Sequence, residues 1–188
     1  MFAAFLDANV LVPVTLTDTM LRAAEMGLFR PIWSETVLAE VRAAVARVDP
    51  QLAPSRIESR FRAMRPAFPE ATARGWEPLV NQISLPDASD RHVAAAWLAG
   101  ADAIVTNNLR DFPETALEPF GLHAVDADTF LRDMLDLAPE AMIHAIKQQA
   151  ADTAKPPLST DDVLIALGRA GAREFVSALR AAGRAAAS

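Results

Sequence analysis

The chain has no cysteine among its 188 residues, so neither a disulfide framework nor a thiolate metal site can be built. Lysine is nearly absent, with only Lys147 and Lys155, both late in the chain. The three histidines, His92, His123 and His144, are scattered and show none of the spacing a zinc site needs. No apolar run approaches the ~18 residues required to span a bilayer. The opening stretch MFAAFLDANVLVPVTLTD is apolar, but it lacks a basic start and is interrupted by Asp7 and Asn9. It reads as a buried strand and not as a secretory leader. These absences support the expectation of a cytoplasmic protein with no membrane attachment.

What is present is enough apolar surface for a real core. Hydrophobic residues make up 52% of the chain and charged residues 22%, the make-up of an ordinary globular domain. A formal net charge of −6 weighs against a nucleic-acid partner on simple electrostatic grounds. Two features offset that objection. Carboxylates that ligate a divalent cation are neutralised when it binds. Six arginines (Arg42, Arg47, Arg56, Arg60, Arg62 and Arg65) also fall in one stretch opposed only by Asp49 and Glu58.

Along the chain, FAAFL (2–6) is a short apolar run that stops at Asp7, the pattern of a buried central strand. A helix over about 16–27 follows, closed by Gly27, and then a second strand, FRPIW (29–33). Ser34 is a good N-cap for a helix over 35–48. Pro54 and Ser55 open another, with Ser55 and Glu58 spaced as a capping box. Residues 66–84 give no clear pattern. LPDASDRHVAAAWLAG (85–100) is a turn followed by a helix with Val93, Ala96 and Trp97 inward. DAIVTNN (102–108) and GLHAV (121–125) read as further strands, and Asp126 could cap the helix after them. Strands alternating with helices at this spacing imply an α/β fold with a parallel sheet. From about 138 onward only helical patterns occur, over 139–152, 160–169 and 172–182, with Ser159 and Asp162 spaced as a capping box.

Several acids can reach one place in such a fold. Asp7 ends the first strand, and ligands bind beyond the carboxyl ends of strands in open parallel sheets. A carboxylate there is costly to bury unless it is paired or bound to metal. Glu40 lies at the border of its helix's apolar face. Asp87 and Asp90 bracket a helix start; Asp-x-x-Asp is an ordinary helix-start pattern, but the same helix end would hold an ionised Asp90 in place. The loop Thr106-Asn107-Asn108-Leu109-Arg110-Asp111-Phe112 adds Asn108 and Asp111 at the same sheet edge. Two carboxylates ~5 Å apart repel by about 3 kcal/mol at an effective dielectric near 20, so such a cluster needs protons or a cation. Oxygen ligands without Cys or clustered His favour Mg²⁺ or Mn²⁺.

On these motifs the chain resembles the PIN-domain nucleases, and in particular the VapC-type toxins of type II toxin–antitoxin pairs. LDANVLV (6–12) matches the first acidic motif, VLAEV (37–41) the second, and SDRHVAAAWLAGADAIVTNNLRDF (89–112) the third and fourth. The resemblance implies a PIN-like three-layer fold, a central parallel sheet flanked by helices over residues 1–130, with a C-terminal helical extension over 131–188. It implies Mg²⁺- or Mn²⁺-dependent endoribonuclease activity, an RNA substrate, a homodimer and inhibition by a cognate antitoxin. Carried over by position, the catalytic and metal-holding acids are Asp7, Glu40, Asp90 and Asp111. The chain departs from the pattern at Asn108, where many relatives place an acid, which leaves the fourth ligand between Asn108 and Asp111. Asn9, Thr106, Asn108 and Asp87 are candidates for a supporting shell, and Arg42, Arg47, Arg91 and Arg110 for contacts to RNA phosphates.

Two other readings compete. In one, the fold is a catalytically degenerate PIN-like module that binds RNA or a partner. In the other, it is a phosphatase of the haloacid-dehalogenase type. That chemistry wants a second acid two residues after Asp7, where this chain has Asn9, and a lysine in the later motifs, which the chain lacks.

Overall fold

The computed structural model describes residues 1–83, 90–153 and 157–185. In chain order the elements are β1 (Ala3–Leu6), α1 (Ala8–Leu11), α2 (Val14–Glu25), β2 (Arg30–Ser34), α3 (Glu35–Val48), α4 (Pro54–Ala67) and β3 (Thr72–Ala73). A 3-10 turn at Glu77–Gln82 precedes α5 (Asp90–Leu98), β4 (Ala103–Val105), α6 (Glu114–Leu117), β5 (His123–Val125) and α7 (Ala127–Leu137). The chain ends in α8 (Pro139–Asp152), α9 (Thr160–Arg169) and α10 (Arg173–Ala185). It divides into two compact units, one of residues 1–12 and 30–125, the other of residues 13–29 and 126–188.

The first unit holds one five-stranded sheet in the order β3-β2-β1-β4-β5. Every pairing is parallel, with Phe5 opposite Ile32 and Ile104, and Val105 opposite Val125. The expected α/β class with a parallel sheet flanked by helices is what the structure shows. β1 is central and all four of its residues are buried, which explains why FAAFL is continuously apolar and not alternating. Ser34 accepts a hydrogen bond from the Val37 amide at 3.2 Å, the N-cap its position suggested. α3 buries Val37, Leu38 and Val41, whereas Val48 at the other end is 80% exposed. The Ser55–Glu58 capping box does not form. Pro54 sits in the first turn with Ala53 as N-cap, and the Glu58 carboxylate accepts from the Arg42 guanidinium instead. Trp97, expected inward, is 39% exposed with its ring edge on Phe120 at 5.1 Å. β3 lies in the stretch whose pattern was unreadable.

The sheet order places the functional edge. The chain leaves β1 for β2 and β3 on one side, then returns to β4 and β5 on the other. The topology therefore switches between β1 and β4, and parallel sheets bind ligands beyond the carboxyl ends of strands at such a point.

The second unit is helical: α2, α7, α8, α9 and α10. Its core includes Leu16, Met20, Phe130, Ile146, Leu167 and Phe175, all no more than 2% exposed. Phe29 meets Phe130 edge to face at 4.9 Å. α2 runs over 14–25, two residues ahead of its sequence reading, because Gly27 takes φ +76°. That left-handed turn lets the Gly27 and Leu28 amides return to the Ala24 and Ala23 carbonyls at 2.9 and 3.1 Å, the usual close of a helix. Asp126 caps α7 by accepting from the Thr129 amide at 2.9 Å. The Ser159–Asp162 capping box is present. Asp128 accepts from the Glu174 and Phe175 amides at 3.0 and 2.7 Å, and so caps α10.

Candidate active site

Asp7 follows β1 directly, with its amide donating to the Val105 carbonyl of β4 at 3.1 Å. Asp7 is 7% exposed and its carboxylate caps α1, with Oδ1 accepting from the Ala8 amide at 2.6 Å. Oδ2 accepts from Thr106 Oγ1 at 2.7 Å and from Asn9 Nδ2 at 2.6 Å. Three donors thus fill three of the roughly four acceptor positions of a carboxylate, and Oδ1 keeps capacity for a further ligand. Asn9 and Thr106 are tied to each other as well: Asn9 Nδ2 also donates to Thr106 Oγ1 at 2.9 Å, and Asn9 Oδ1 accepts from the Asn107 amide at 2.9 Å. The two strand ends are locked together, and the Asp7 carboxylate cannot rotate without breaking several bonds.

Glu40 reaches the same point from the second turn of α3. One carboxylate oxygen from each of Asp7 and Glu40 and a ring nitrogen of His92 all lie within 4.8 Å of one another. His92 Nε2 sits 3.2 Å from Glu40 Oε2, and its ring tilts against Phe5 at 6.0 Å. The scattered histidines showed no site spacing in the sequence, yet His92 is 6% exposed and part of the cluster. A visible sign was its position as the polar member of an otherwise apolar run, HVAAAWL.

Electrostatics separate the two acids. Burial pushes the Asp7 carboxyl above its ordinary value, against the opposing pull of the Thr106 hydrogen bond, His92 and the Ala8 amide, and the charge of Glu40 adds to the rise. Burial also acts to raise Glu40, but the His92 hydrogen bond and the charges of His92 and Arg91 outweigh it and hold that carboxyl low. One acid that resists ionisation beside one that is readily ionised is an arrangement a bound cation would relieve. Two carboxylate oxygens facing one point suit a hard divalent ion.

The remaining expected residues are placed as follows. Asp90 is the first residue of α5, with its side chain outside the described part, and Asp87 lies wholly outside the described residues. Asp111 is half-buried in the 3-10 turn Leu109–Asp111 and is not a member of the Asp7–Glu40–His92 group. Its Oδ2 accepts from Asn108 Nδ2, while the Asn108 amide donates to Thr106 Oγ1 at 3.1 Å. The two candidates for the fourth position are therefore bonded to each other. Arg42 is engaged by Glu58 and stacks over Phe61 with its guanidinium 4.9 Å from the ring centroid. Arg47 and Arg110 are exposed, and Arg91 lies close enough to Glu40 to act on its charge.

Known proteins bear on this geometry in three ways. Residues 127–181 match the family described as the VapC50 C-terminal domain. Over 99 residues the chain is 44% identical to a Mycobacterium tuberculosis (strain ATCC 25618 / H37Rv) protein named "Putative ribonuclease VapC50". That alignment covers 52% of this chain and 58% of the relative's own length, little more than half of either. No solved structure matches the chain. Residues 3–110, more than half of the sequence and the whole of the segment from β1 to the Asn108 loop, match the PIN domain. The chain belongs to the PIN-domain family.

Proposed function

We propose that this protein is a Mg²⁺- or Mn²⁺-dependent endoribonuclease acting in the cytoplasm, the toxin of a toxin–antitoxin pair. The observation that carries the reading is the buried Asp7 carboxylate held against Glu40 at the β1–β4 switch point. The ribonuclease named among its relatives supports it, and so does the match of residues 127–181 to that protein's C-terminal domain. No helix among the described residues is long and apolar enough to cross a membrane.

Asp7, Glu40 and Asp90 hold the ion in this reading, and Asp111 completes the set. When bound, such an ion acidifies a water and offsets negative charge at the attacked phosphorus. The residues of the chain do the rest. Thr106 and Asn9 hold the Asp7 carboxylate in place, so no rearrangement of it is needed when substrate arrives. Exposed Arg47 and Arg110, with Arg91 beside Glu40, meet the RNA backbone. Binding should therefore weaken as salt rises. RNA, an antitoxin protein and a second copy of the chain are its partners.

The test is cleavage of a structured RNA. Activity is expected with Mg²⁺ or Mn²⁺, lost in EDTA, and lower by about 10²-fold in Asp90→Asn if that residue is a metal ligand. Full cleavage in EDTA would overturn the reading. RNA binding without cleavage at any metal concentration would favour the non-catalytic module.

A further inference from the structure

His92 is the member of the cluster that the acidic motifs do not account for. Its Nε2 faces Glu40 Oε2 at 3.2 Å. The opposite nitrogen, Nδ1, is buried and finds no hydrogen-bond partner among the described residues. A metal-ligating histidine almost always donates its second N–H to a carboxylate, carbonyl or water. If His92 ligated through Nε2, its proton would have to sit on Nδ1, buried with no acceptor among the described residues, a costly placement. With the proton on Nε2 there is no such cost, because Nε2–H donates to Glu40 and Nδ1 stays a bare lone pair.

We infer that His92 is a positioning residue that donates Nε2–H to Glu40 and aims its carboxylate at Asp7, without itself entering the metal's coordination. α5 is suited to the task. His92 through Ala96 are all buried, and Phe5 of the central strand flanks the ring, so the donor is fixed by packing on two elements. Glu40, by contrast, has a side chain 39% exposed at the end of a flexible stem. Without a donor its carboxylate would be free to turn toward water.

This inference rests on the metal-site reading above, and the experiment separates the two. Mn²⁺ alone is the probe, titrated into the full chain and followed by calorimetry and pulsed electron paramagnetic resonance. His92→Met fills a similar volume with no donor, and His92→Gln restores an N–H near the place of Nε2. The expected results are wild-type Mn²⁺ binding with no nitrogen coupling, a 10- to 100-fold weaker affinity in His92→Met, as for other outer-shell partners, and recovery of most of that loss in His92→Gln. In a Glu40→Gln background, His92→Met should cost little more, because the two act as a unit. A purely structural role would cost the same in both backgrounds. Nitrogen NMR of the metal-free protein should show the Nε2–H tautomer. Nitrogen coupling to Mn²⁺ would make His92 a ligand and overturn the inference, and so would unchanged affinity in His92→Met. Absence of Mn²⁺ binding in the wild type would remove the metal-site reading, and this inference with it.

Discussion

Both units bury polar side chains, and the two sets differ in kind. In the helical unit, among the described residues, they are Thr17, Thr19 and Gln149, all neutral and matched to partners at home. Gln149 Nε2 donates to the Thr15 carbonyl at 2.9 Å, its Oε1 accepts from Thr19 Oγ1 at 2.7 Å, and Thr17 Oγ1 donates to the Pro13 carbonyl at 3.1 Å. In the sheet unit they include Asp7, His92 and Thr106. These are ionisable or bonded to an ionisable group, and the set retains an Nδ1 with no partner among the described residues and spare acceptor capacity on Asp7. Neutral closed networks lower the cost of burial and stabilise a packing. Open ionic ones cost stability and are kept where chemistry needs them. The difference teaches where to expect loss of folding and where to expect loss of activity.

The largest effect should come from the helical core. Phe175 is fully buried and its amide is held by Asp128. Phe175→Ala should cost about 3–5 kcal/mol, read as a fall in the denaturation midpoint, while Mn²⁺ affinity of the folded protein stays as in the wild type. A loss below about 1 kcal/mol would mean that the unit lacks the tight packing ascribed to it.

The next effect lies in the ionic set and depends on pH. Asp7's carboxyl is raised above 3.8, so the native state binds that proton more tightly than the unfolded chain. Its contribution to stability is fully present below 3.8 and is lost as pH rises through the folded value. Glu40, lowered from 4.5, runs the other way: its contribution is present above 4.5 and lost as pH falls through its folded value. Metal must displace the Asp7 proton. At one fixed Mn²⁺ concentration the stabilisation, read as a rise in Tm, should therefore be larger at pH 7.5 than at pH 5, and it reaches about 2.7 kcal/mol where that concentration is 100 times the dissociation constant. In Asp7→Asn it should be small at both. An equal gain at both pH values in the wild type would place the ion elsewhere.

Much of this was readable in advance, for identifiable reasons. β1 and Asp7 stood out because a fully buried strand is continuously apolar and ends where a charge begins. Ser34, Asp126 and the Ser159–Asp162 box were legible because capping is local chemistry. Ser55 misled because Pro54 takes the first helical turn and Arg42, from another helix, competes for Glu58; spacing along the chain cannot show a tertiary competitor. β3 was missed because two residues carry no period. The sheet order, and with it the pairing of Asp7 with Thr106 across 99 positions, is a property of the fold. His92 was not singled out because a histidine on an apolar face looks the same in sequence whether it packs in the core or faces an acid.

A smaller effect tests the neutral network. Gln149→Leu removes both bonds of the amide, but the Thr19 hydroxyl can still donate to the Thr15 carbonyl, which lies 3.0 Å away. One acceptor and one donor therefore remain served, and the loss should be about 1 kcal/mol, with no change in RNA cleavage per folded molecule. If cleavage falls while stability holds, the contrast between closed and open polar sets fails.

The smallest effect should come from Asn108, and it bears on the fourth site position. Its backbone amide donates to Thr106 Oγ1, and Thr106 donates in turn to Asp7; substitution by alanine leaves that path intact. What Asn108→Ala removes is the side-chain amide that holds the Asp111 carboxylate. That hydrogen bond is exposed to water, so its loss should cost only roughly 0.5 kcal/mol, or about a twofold lower cleavage rate. Asp111→Ala removes the carboxylate itself and should lower the rate further. If Asn108 acts only by steadying Asp111, the double variant should be no slower than Asp111→Ala alone, because the interaction is already gone. Additive losses, or a larger effect from Asn108→Ala than from Asp111→Ala, would move the fourth position to Asn108. The acid two residues after the loop threonine in relatives would then have been replaced in this chain by a neutral oxygen ligand.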